Sequence, residues 1–393
     1  MQRILNTLKT AFRETDKILL LLSAAASALG ILMVASVTLV FKDEGSLLSR
    51  DASTMLLAVI LGLFGAMVIS FIDYNLIFKL VPLIGGVCLL LMFATLIFGV
   101  GPESRPDAKT WLMLGSSGLY FQPSELLKIG FIITFGIHIE LVQDRLVHFK
   151  HIVFLGIHAL IPIGLVAVSG DMGSALVFVI IFIVMMFFAG VGLRYFLIGI
   201  AAVCALLPFA WKYVLDDIQR NRFLGLFYPE LYEDIMYQQQ VGMDAMKNGG
   251  LTGQGLFNGS YTQAGVVPES RNDMIFSAFG EELGFIGCFV VLAILVGITV
   301  RLIQNGRKSR NNAAALMCYG MAAMIAGQTV INIGMCLMLL PVIGITLPFY
   351  SAGGSSNLCL YIGIGLMLSI YRFDKEQEIT NFRYSHLTTP FGN

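Results

Sequence analysis

The residues of this chain that could do chemistry lie in a few polar stretches of a very apolar sequence. The first is VVPESRNDMIFSAFGEELGFIG, residues 266–287, where Asp273 sits at the boundary between a polar segment and an apolar run. Glu281 and Glu282 follow about two helical turns further in. A carboxylate placed where a wet segment enters a membrane is costly unless something uses or neutralises it. Two readings compete for Asp273. It could be the N-cap of the helix that follows, because Asn-Asp before an apolar run is a helix-start pattern. It could instead be a general base. The histidines are His138, His148, His151, His158 and His386, and none falls on the side expected to carry Asp273, so a base there has to be a carboxylate. Its carboxylate is expected to be ionised at neutral pH, from a reference pKa of about 3.9 and the cations nearby.

Other polar stretches surround this one. In DAKTWLMLGSSGLYFQPSELLKIG, residues 107–130, Glu125 and Lys128 are spaced i, i+3 and share a helix face. Each alone at membrane depth would cost about 2.5–3.5 kcal/mol, so pairing is expected, either as a structural ion pair or within a substrate cavity. Lys109 and Trp111 come just before, the tryptophan suiting an interfacial anchor. Asp171, in VSGDMGSALVF, directly precedes an apolar run and reads as an N-cap or a site carboxylate. In DDIQRNRFLGLFYPE, Arg220 and Arg222 would clamp a phosphate or pyrophosphate. Gly249, Gly250, Gly253, Gly255 and Gly259 suggest tight turns and fit no phosphate-binding glycine motif. Gln328 and Asn332, spaced i, i+4, face a bundle interior as hydrogen-bond donors or substrate contacts. Pro341, Pro348 and the run Gly353-Gly354-Ser355-Ser356 interrupt the backbone near a membrane, which is tolerated only inside protein or along a cavity.

The elements that must hold these residues are membrane helices. The chain has 393 residues, 57% of them hydrophobic and only 13% charged, about half the charge of a soluble domain. Apolar runs recur at about 18–41, 54–72, 76–98, 123–142, 152–168, 172–190, 195–215, 274–302, 313–340 and 353–371. The expected fold is all-α: one polytopic membrane domain over residues 1–393, with ten spans and a long polar segment at 216–272 between spans seven and eight. The first run is long enough to span and lacks a small-residue cleavage site, so it reads as an anchor rather than a signal peptide. Of the 25 Lys and Arg, 15 fall on the side of the two termini and 8 on the other, while Lys128 and Lys212 lie within spans. The positive-inside rule then places both termini in the cytoplasm and residues 216–272 outside. Zero net charge argues against a nucleic-acid partner. The six cysteines all lie in apolar runs without a CxxC pair, which suits packing rather than metal binding or disulfides.

Read together, KTWLMLG, QPSELLKIG, DMGSALV, QRNRFLGLFYPE, GGLTGQGLFNG, VPESRNDMIFSAFGEELGFIG, QTVINIG and LPFYSAGGSS resemble the SEDS family, whose members include RodA, FtsW and SpoVE. The resemblance runs from the first span to the last. It implies a ten-span peptidoglycan glycosyltransferase of the bacterial cytoplasmic membrane. Such a protein polymerises lipid II outside the membrane, releases undecaprenyl pyrophosphate and works with a class B penicillin-binding protein. It also implies that Asp273 is the essential aspartate, that Trp111, Glu125 and Lys128 match the family's tryptophan, acid and base around span four, and that Gln122, Ser124, Asp171, Gln328, Asn332, Ser355 and Ser356 lie on the substrate side. Three positions depart from the pattern: Arg271 where the family has His, Gly170 where it has Pro, and Met338 where it has Gly. The GSYTQ stretch leans towards the elongation branch. In the implied reaction Asp273 takes the proton of the incoming sugar hydroxyl. Lys109, Arg220 and Arg222, or a divalent cation such as Mg2+ or Mn2+, supply positive charge to the leaving pyrophosphate. The alternatives are a flippase for the same lipid-linked sugar and a non-catalytic scaffold of the division or elongation machinery.

Overall fold

A computed structural model describes residues 14–39, 48–101, 108–115, 119–213 and 215–387, with side chains at the C-terminal end described to residue 375. Arg3, Lys9, Arg13, Lys42 and Arg105 of the charge count, and Asp107 of the 107–130 stretch, lie outside the described residues. The described chain is α-helical apart from one small hairpin. In order it forms α1 (Lys17–Val37), α2 (Arg50–Ser70), α3 (Tyr74–Lys79), α4 (Val81–Phe98), β1 (Leu112–Leu114), β2 (Leu119–Phe121), α5 (Pro123–Leu141), α6 (Phe149–Val168), α7 (Met172–Phe188), α8 (Leu193–Tyr213), α9 (Asp217–Phe227), α10 (Glu233–Gly249), α11 (Ser260–Gln263), α12 (Ile275–Lys308), α13 (Asn312–Cys336) and α14 (Gly354–Leu387).

Eight of these helices are long and apolar enough to cross a membrane. Two more, α5 and α7, stand where spans four and six were expected; α7 is apolar but has 17 residues, and α5 carries Glu125 and Lys128. Helix starts follow capping chemistry. Asp16, Ser49, Asp171 and Asn311 each accept a backbone N–H in the first turn of their helix, and Pro82 and Pro123 sit where a missing N–H costs nothing.

The core is built around α13, whose residues are mostly buried. It packs on α12, α7 and α5, while α14 lies along α2, α4 along α5, and α12 also against α1. In contrast, α8 buries none of its residues and offers an apolar surface on every side. That is how a helix surrounded by lipid reads.

Three expectations about elements change. The ninth run does not continue to 340: α13 ends at Cys336, and residues 337–353 form an irregular segment with Met338 and Phe349 at positive φ. The third run breaks at Leu80 into α3 and α4, just before Pro82. The polar segment 216–272 is largely helical, because α9 opens with an Asp216–Gln219 capping box and α10 lays its buried residues against α12. The β1–β2 hairpin pairs Met113 with Tyr120 and was not anticipated; three-residue strands leave no readable alternation.

One end of the bundle gathers the site residues. At the other, Asp16 accepts from Arg301 Nε (2.8 Å) and Asn305 Nδ2 (2.7 Å), tying α1 to α12, and Tyr74 donates to Asp374 (2.9 Å), tying α3 to α14.

Candidate active site

Asp273 stands at the last turn before α12, but it does not cap that helix. The N-cap position is Met274 and no side chain bonds there. Its backbone carbonyl is held instead, accepting from Asn332 Nδ2 (2.8 Å) and facing Cys336 Sγ at 3.5 Å. The carboxylate is therefore left for other work. Its Oδ2 faces Gly344 in the irregular segment: a Cβ built on that glycine, which has φ +77°, would lie 3.6 Å away.

That segment draws the other groups together. Arg222 Nη1 donates to Val342 O (2.7 Å). Asn332 Nδ2 also donates to Ile345 O (2.7 Å). The first turn of α7 packs against the same loop so closely that Gly173 has no room for a Cβ beside Ile343 O. Asp171, the N-cap of α7, is thus brought to the site. Its Oδ1 accepts from Ser174 N (2.9 Å), and its Oδ2 accepts from Gln122 Nε2 (3.0 Å) and Ser124 Oγ (3.3 Å) at the start of α5. Asp171 therefore caps α7 and ties that cap to the start of α5.

Asp273 is partly exposed at its surface, yet its carboxylate is ringed by protein. Burial pushes its pKa up to about 7, with Glu269 and Asp171 adding to the rise and Arg222 opposing it. This corrects the expectation of a fully ionised carboxylate at neutral pH. The sequence shows the cations near Asp273 but not the desolvation and the two like charges.

Glu125 and Lys128 lie one turn deeper on α5, buried, with Lys128 Nζ donating to Glu125 Oε1 at 2.8 Å. Ser356 Oγ, from the first turn of α14, reaches Glu125 Oε2 at 3.5 Å, and Ser355 is half-buried beside it. Gln328 is buried on α13 with its Oε1 lacking a partner.

Some expected residues fall elsewhere. Arg220 and Arg222 do not act as one clamp, because residues two apart on a helix diverge. Arg220 turns to Asp217 (3.4 Å) and Leu215 O (3.1 Å), while Arg222 turns to the site. Lys109 donates its backbone N–H to Ser169 O beside Asp171, but its ammonium goes to Leu96 O (3.0 Å) at the C-terminal end of α4, where a cation is favoured. Trp111 is half-buried, bridged to Val100 and tilted against Tyr120 at 5.9 Å between ring centres. Arg271 forms an exposed pair with Asp51 (2.6 Å), joining the turn before α12 to the start of α2. Among the described residues no three His, Cys, Asp or Glu groups converge to hold a metal ion.

The sequence reading missed the role of Glu281 and Glu282. Both are fully buried. Glu281 accepts from Tyr261 N (2.7 Å), Thr262 N (2.8 Å) and Thr262 Oγ1 (2.6 Å). Glu282 accepts from Ser36 Oγ (2.7 Å), Gln263 Nε2 (2.9 Å) and Phe257 N (3.1 Å). They anchor the glycine-rich loop to the bundle. The adjacency of two acids and a glycine loop in one chain was the available signal.

Known proteins share this arrangement over nearly the whole chain. The FtsW/RodA/SpoVE profile, described as "Cell cycle protein", matches residues 16–376. A Geobacter sulfurreducens relative named "Probable peptidoglycan glycosyltransferase FtsW" is 32% identical over 366 residues, covering 90% of this chain and 94% of its own. Escherichia coli K12 "Peptidoglycan glycosyltransferase MrdB" is 29% identical over 297 residues, covering 74% of this chain and 77% of its own. Among solved structures, one chain described under "Structural coordination of polymerization and crosslinking by a peptidoglycan synthase complex" superposes with a TM-score of 0.78 at 28% identity. It covers 92% of this chain and 98% of the other. Thermus thermophilus rod shape determining protein RodA gives 0.66 at 26% identity, covering 91% and 97%. A family match over residues 16–376, with relatives about a third identical over nearly the same length and the same fold, has one explanation: the chain belongs to the FtsW/RodA/SpoVE family.

Proposed function

We propose that this protein is a peptidoglycan glycosyltransferase that polymerises lipid II into glycan strands at the outer face of the cytoplasmic membrane, with Asp273 as general base. The enzyme class agrees with the names of the relatives and with the synthase complex whose chain superposes on this one. In this reading the chain is one integral membrane domain crossing ten times, with both termini cytoplasmic and residues 216–272 outside. The partner is a class B penicillin-binding protein that cross-links the strands.

The observation that carries the chemistry is the state of Asp273. A base works best with a pKa near the working pH, and burial has moved this carboxylate to about 7 without giving it a helix to cap. In the reaction the acceptor sugar hydroxyl attacks C1 of the donor sugar. Asp273 takes the hydroxyl proton, the new C–O bond forms as the C1–O bond to pyrophosphate breaks, and configuration at C1 inverts. Pyrophosphate is a weak base, so no strong general acid is needed, unlike the two-carboxylate scheme of glycoside hydrolases. Arg222, already at the Asp273 loop, is the cation we assign to the leaving group, and we assign Glu125, Lys128, Gln122, Ser124 and Ser356 to substrate contact from the bundle side.

The test is polymerisation of lipid II by the purified protein, with its partner, in detergent. Glycan chains are expected from the parent, and from Asp273→Asn a rate lower by about 10²–10⁴-fold, the usual value of a general base. Asparagine keeps the size and the backbone bonds, so folding is expected to be normal. Detergent removes sidedness, so a flippase would make no chains even as the parent. A scaffold would make none and would tolerate Asp273→Asn in cells.

A further inference from the structure

A cavity lies away from Asp273, on the opposite face of α5 from Glu125 and Lys128. It has a volume of about 480 Å³ and is enclosed by α4, α5 and α6. That is within the range of about 300–1,000 Å³ for ligand pockets. The wall is apolar, with Cys88, Leu127, Phe131, Ile157 and Ile161 among its residues, and Ile157 and Ile161 are exposed on the face that a bilayer would cover.

Its polar groups run from the middle of the slot, at Thr134 and His158, to one end, at His138 and His151. His138 and His158 meet through their Nδ1 atoms at 2.9 Å, and His158 Nε2 lies 3.1 Å from Thr134 Oγ1. His151 lines the same end, 6.5 Å from His148 between ring centres. Just beyond, Lys150 lies 5.7 Å from the ring centre of Phe154, a wall residue, and Lys79 directly precedes the α4 turn whose Val81 and Pro82 also line the wall. Lys79, His148 and Lys150 are exposed; Glu140 and Asp144 are the acids in the α5–α6 stretch. This is the end of the bundle that carries the Tyr74–Asp374 bond, remote from Asp273.

An apolar slot between membrane helices, open to the side and rimmed with cations, has the chemistry of a lipid-headgroup pocket. We propose that the α4–α5–α6 cavity binds one anionic diacyl phospholipid, with acyl chain against Phe131 and Ile161 and phosphate at the rim of Lys79, His148 and Lys150. The charge of the rim selects the headgroup, and the long lysine stems let the ammonium groups reach it from the interface. The site is separate from the one that would hold the lipid-linked sugar, so its occupancy does not depend on the proposed reaction.

The test uses the full-length protein in nanodiscs holding equal amounts of phosphatidylglycerol and phosphatidylcholine with the same acyl chains, followed by native mass spectrometry of the lipids retained. The parent is expected to keep one phosphatidylglycerol in preference to phosphatidylcholine. Each basic residue at a membrane surface is worth about a fivefold change in affinity, so K79E/K150E is expected to lower that preference by about 25-fold or more. Ile161→Trp, which fills the slot without touching the rim, is expected to lose the retained lipid of either kind while eluting as the parent does in size exclusion. Lys247→Glu, at the far end of the molecule, is expected to change neither. Equal retention of the two lipids by the parent, or undiminished retention by Ile161→Trp, would overturn the proposal. So would displacement of phosphatidylglycerol by an equal amount of undecaprenyl phosphate, which would make the slot a prenyl-chain site.

Discussion

At the scale of residues, the molecule turns on a carboxylate that is costly to ionise. Burial, with the charges of Glu269 and Asp171, outweighs the opposing charge of Arg222 at Asp273. A base with its pKa near 7 is half protonated at neutral pH. The kcat/KM for polymerisation is therefore expected to fall about tenfold per pH unit below about 7 and to level off above it. A pH profile flat from 5.5 to 8.5 would remove Asp273 from the role. The same shift makes a stability prediction whose sign follows from linkage. The folded-state pKa is raised above the unfolded value, so the native state binds the extra proton. The aspartate is neutral in both states well below pH 4 and costs stability progressively as pH rises towards 7. Asp273→Asn is expected to unfold at a higher temperature than the parent at pH 8, with the difference shrinking at pH 5. A thermal shift of the opposite sign would mean that the carboxylate is stabilised by its surroundings.

Lys128 and Glu125 pose the other residue-scale question. Lys128 is 0% exposed and pairs with Glu125 at 2.8 Å. Breaking a buried pair strands a charge and costs about 3–5 kcal/mol, whereas replacing both members can be nearly neutral. Glu125→Gln and Lys128→Met are each expected to lower folded yield and melting temperature, and the double variant is expected to recover much of the loss. Recovery of stability without recovery of polymerisation would assign the pair to substrate as well. A double variant no more stable than the singles would mean that the two side chains act separately.

At the scale of elements, the decisive feature is a break in α12. Gly284 has φ +66° and ψ −165°, a region open essentially to glycine alone. The break frees the carbonyls of Glu281 and Glu282 and the amides of Phe285 and Ile286. The glycine-rich loop takes them all: Gln254 N and Gly255 N donate to the two carbonyls at 3.0 and 2.9 Å, and Phe285 N and Ile286 N donate to Gly250 O and Leu251 O at 2.9 and 3.2 Å. The glycines allow this because the two backbones touch. A Cβ at Gly249 would strike Gly280 O, and one at Gly253 would strike Glu282 O. The glycines therefore serve close packing rather than a phosphate cradle, and the carboxylates of Glu281 and Glu282 complete the anchor. Irregular backbone at this depth is acceptable because protein satisfies it. Gly284→Ala is expected to destabilise by about 1–3 kcal/mol from backbone strain, with added loss from the clash at Gly253 N. Gly65→Ala, where a Cβ meets nothing within 4 Å, is the control and is expected to be neutral. Hydrogen exchange of residues 249–263 should quicken in Gly284→Ala; unchanged exchange would show that the loop holds without the break.

How much of this was legible in the sequence varies by element. Helices α1, α2 and α4 announce themselves as apolar runs with a capping residue or a proline at their start, and α6 and α12 by their apolar runs alone, because length and burial in lipid leave few alternatives. The shortening of α13 to Cys336 was hidden, since residues 337–340 are as apolar as the helix before them and the departure comes from tertiary bonds. Gln239 Nε2 takes the freed carbonyls of Met335 (2.7 Å) and Leu340 (2.9 Å) from another helix. At the site, Asp273, Asp171, Asn332 and the Glu125–Lys128 pair stood out as polar groups in apolar company. The separation of Arg220 from Arg222 required a helix to be known, and the raised pKa of Asp273 required its neighbours. Neither is a property of local sequence.

At the scale of the whole molecule, the arrangement has two unlike ends, and their orientation decides whether the chemistry is possible. One end gathers Asp273, Asp171, Arg222 and the 337–353 segment; the other gathers Asp16, Arg301, Tyr74 and Asp374. Lipid-linked sugar can be polymerised outside the cell only if the first end faces out. The charge count predicts that it does, with 15 Lys and Arg on the terminal side against 8 on the other. Lys247 is exposed on α10, on the Asp273 side, and Lys150 is exposed at the start of α6, on the opposite side. Lys247→Cys and Lys150→Cys, each made in a background with the six native cysteines replaced, are therefore expected to differ in intact cells. A membrane-impermeant maleimide should label residue 247 at once and residue 150 only after lysis. None of the native cysteines is in a disulfide; Cys204 is exposed on α8, and the buried Cys88, Cys318, Cys336 and Cys359 call for small apolar replacements. Labelling of residue 150 but not 247 in intact cells would put Asp273 in the cytoplasm. Glycan synthesis at the outer face would then be excluded for this site, whatever its pKa.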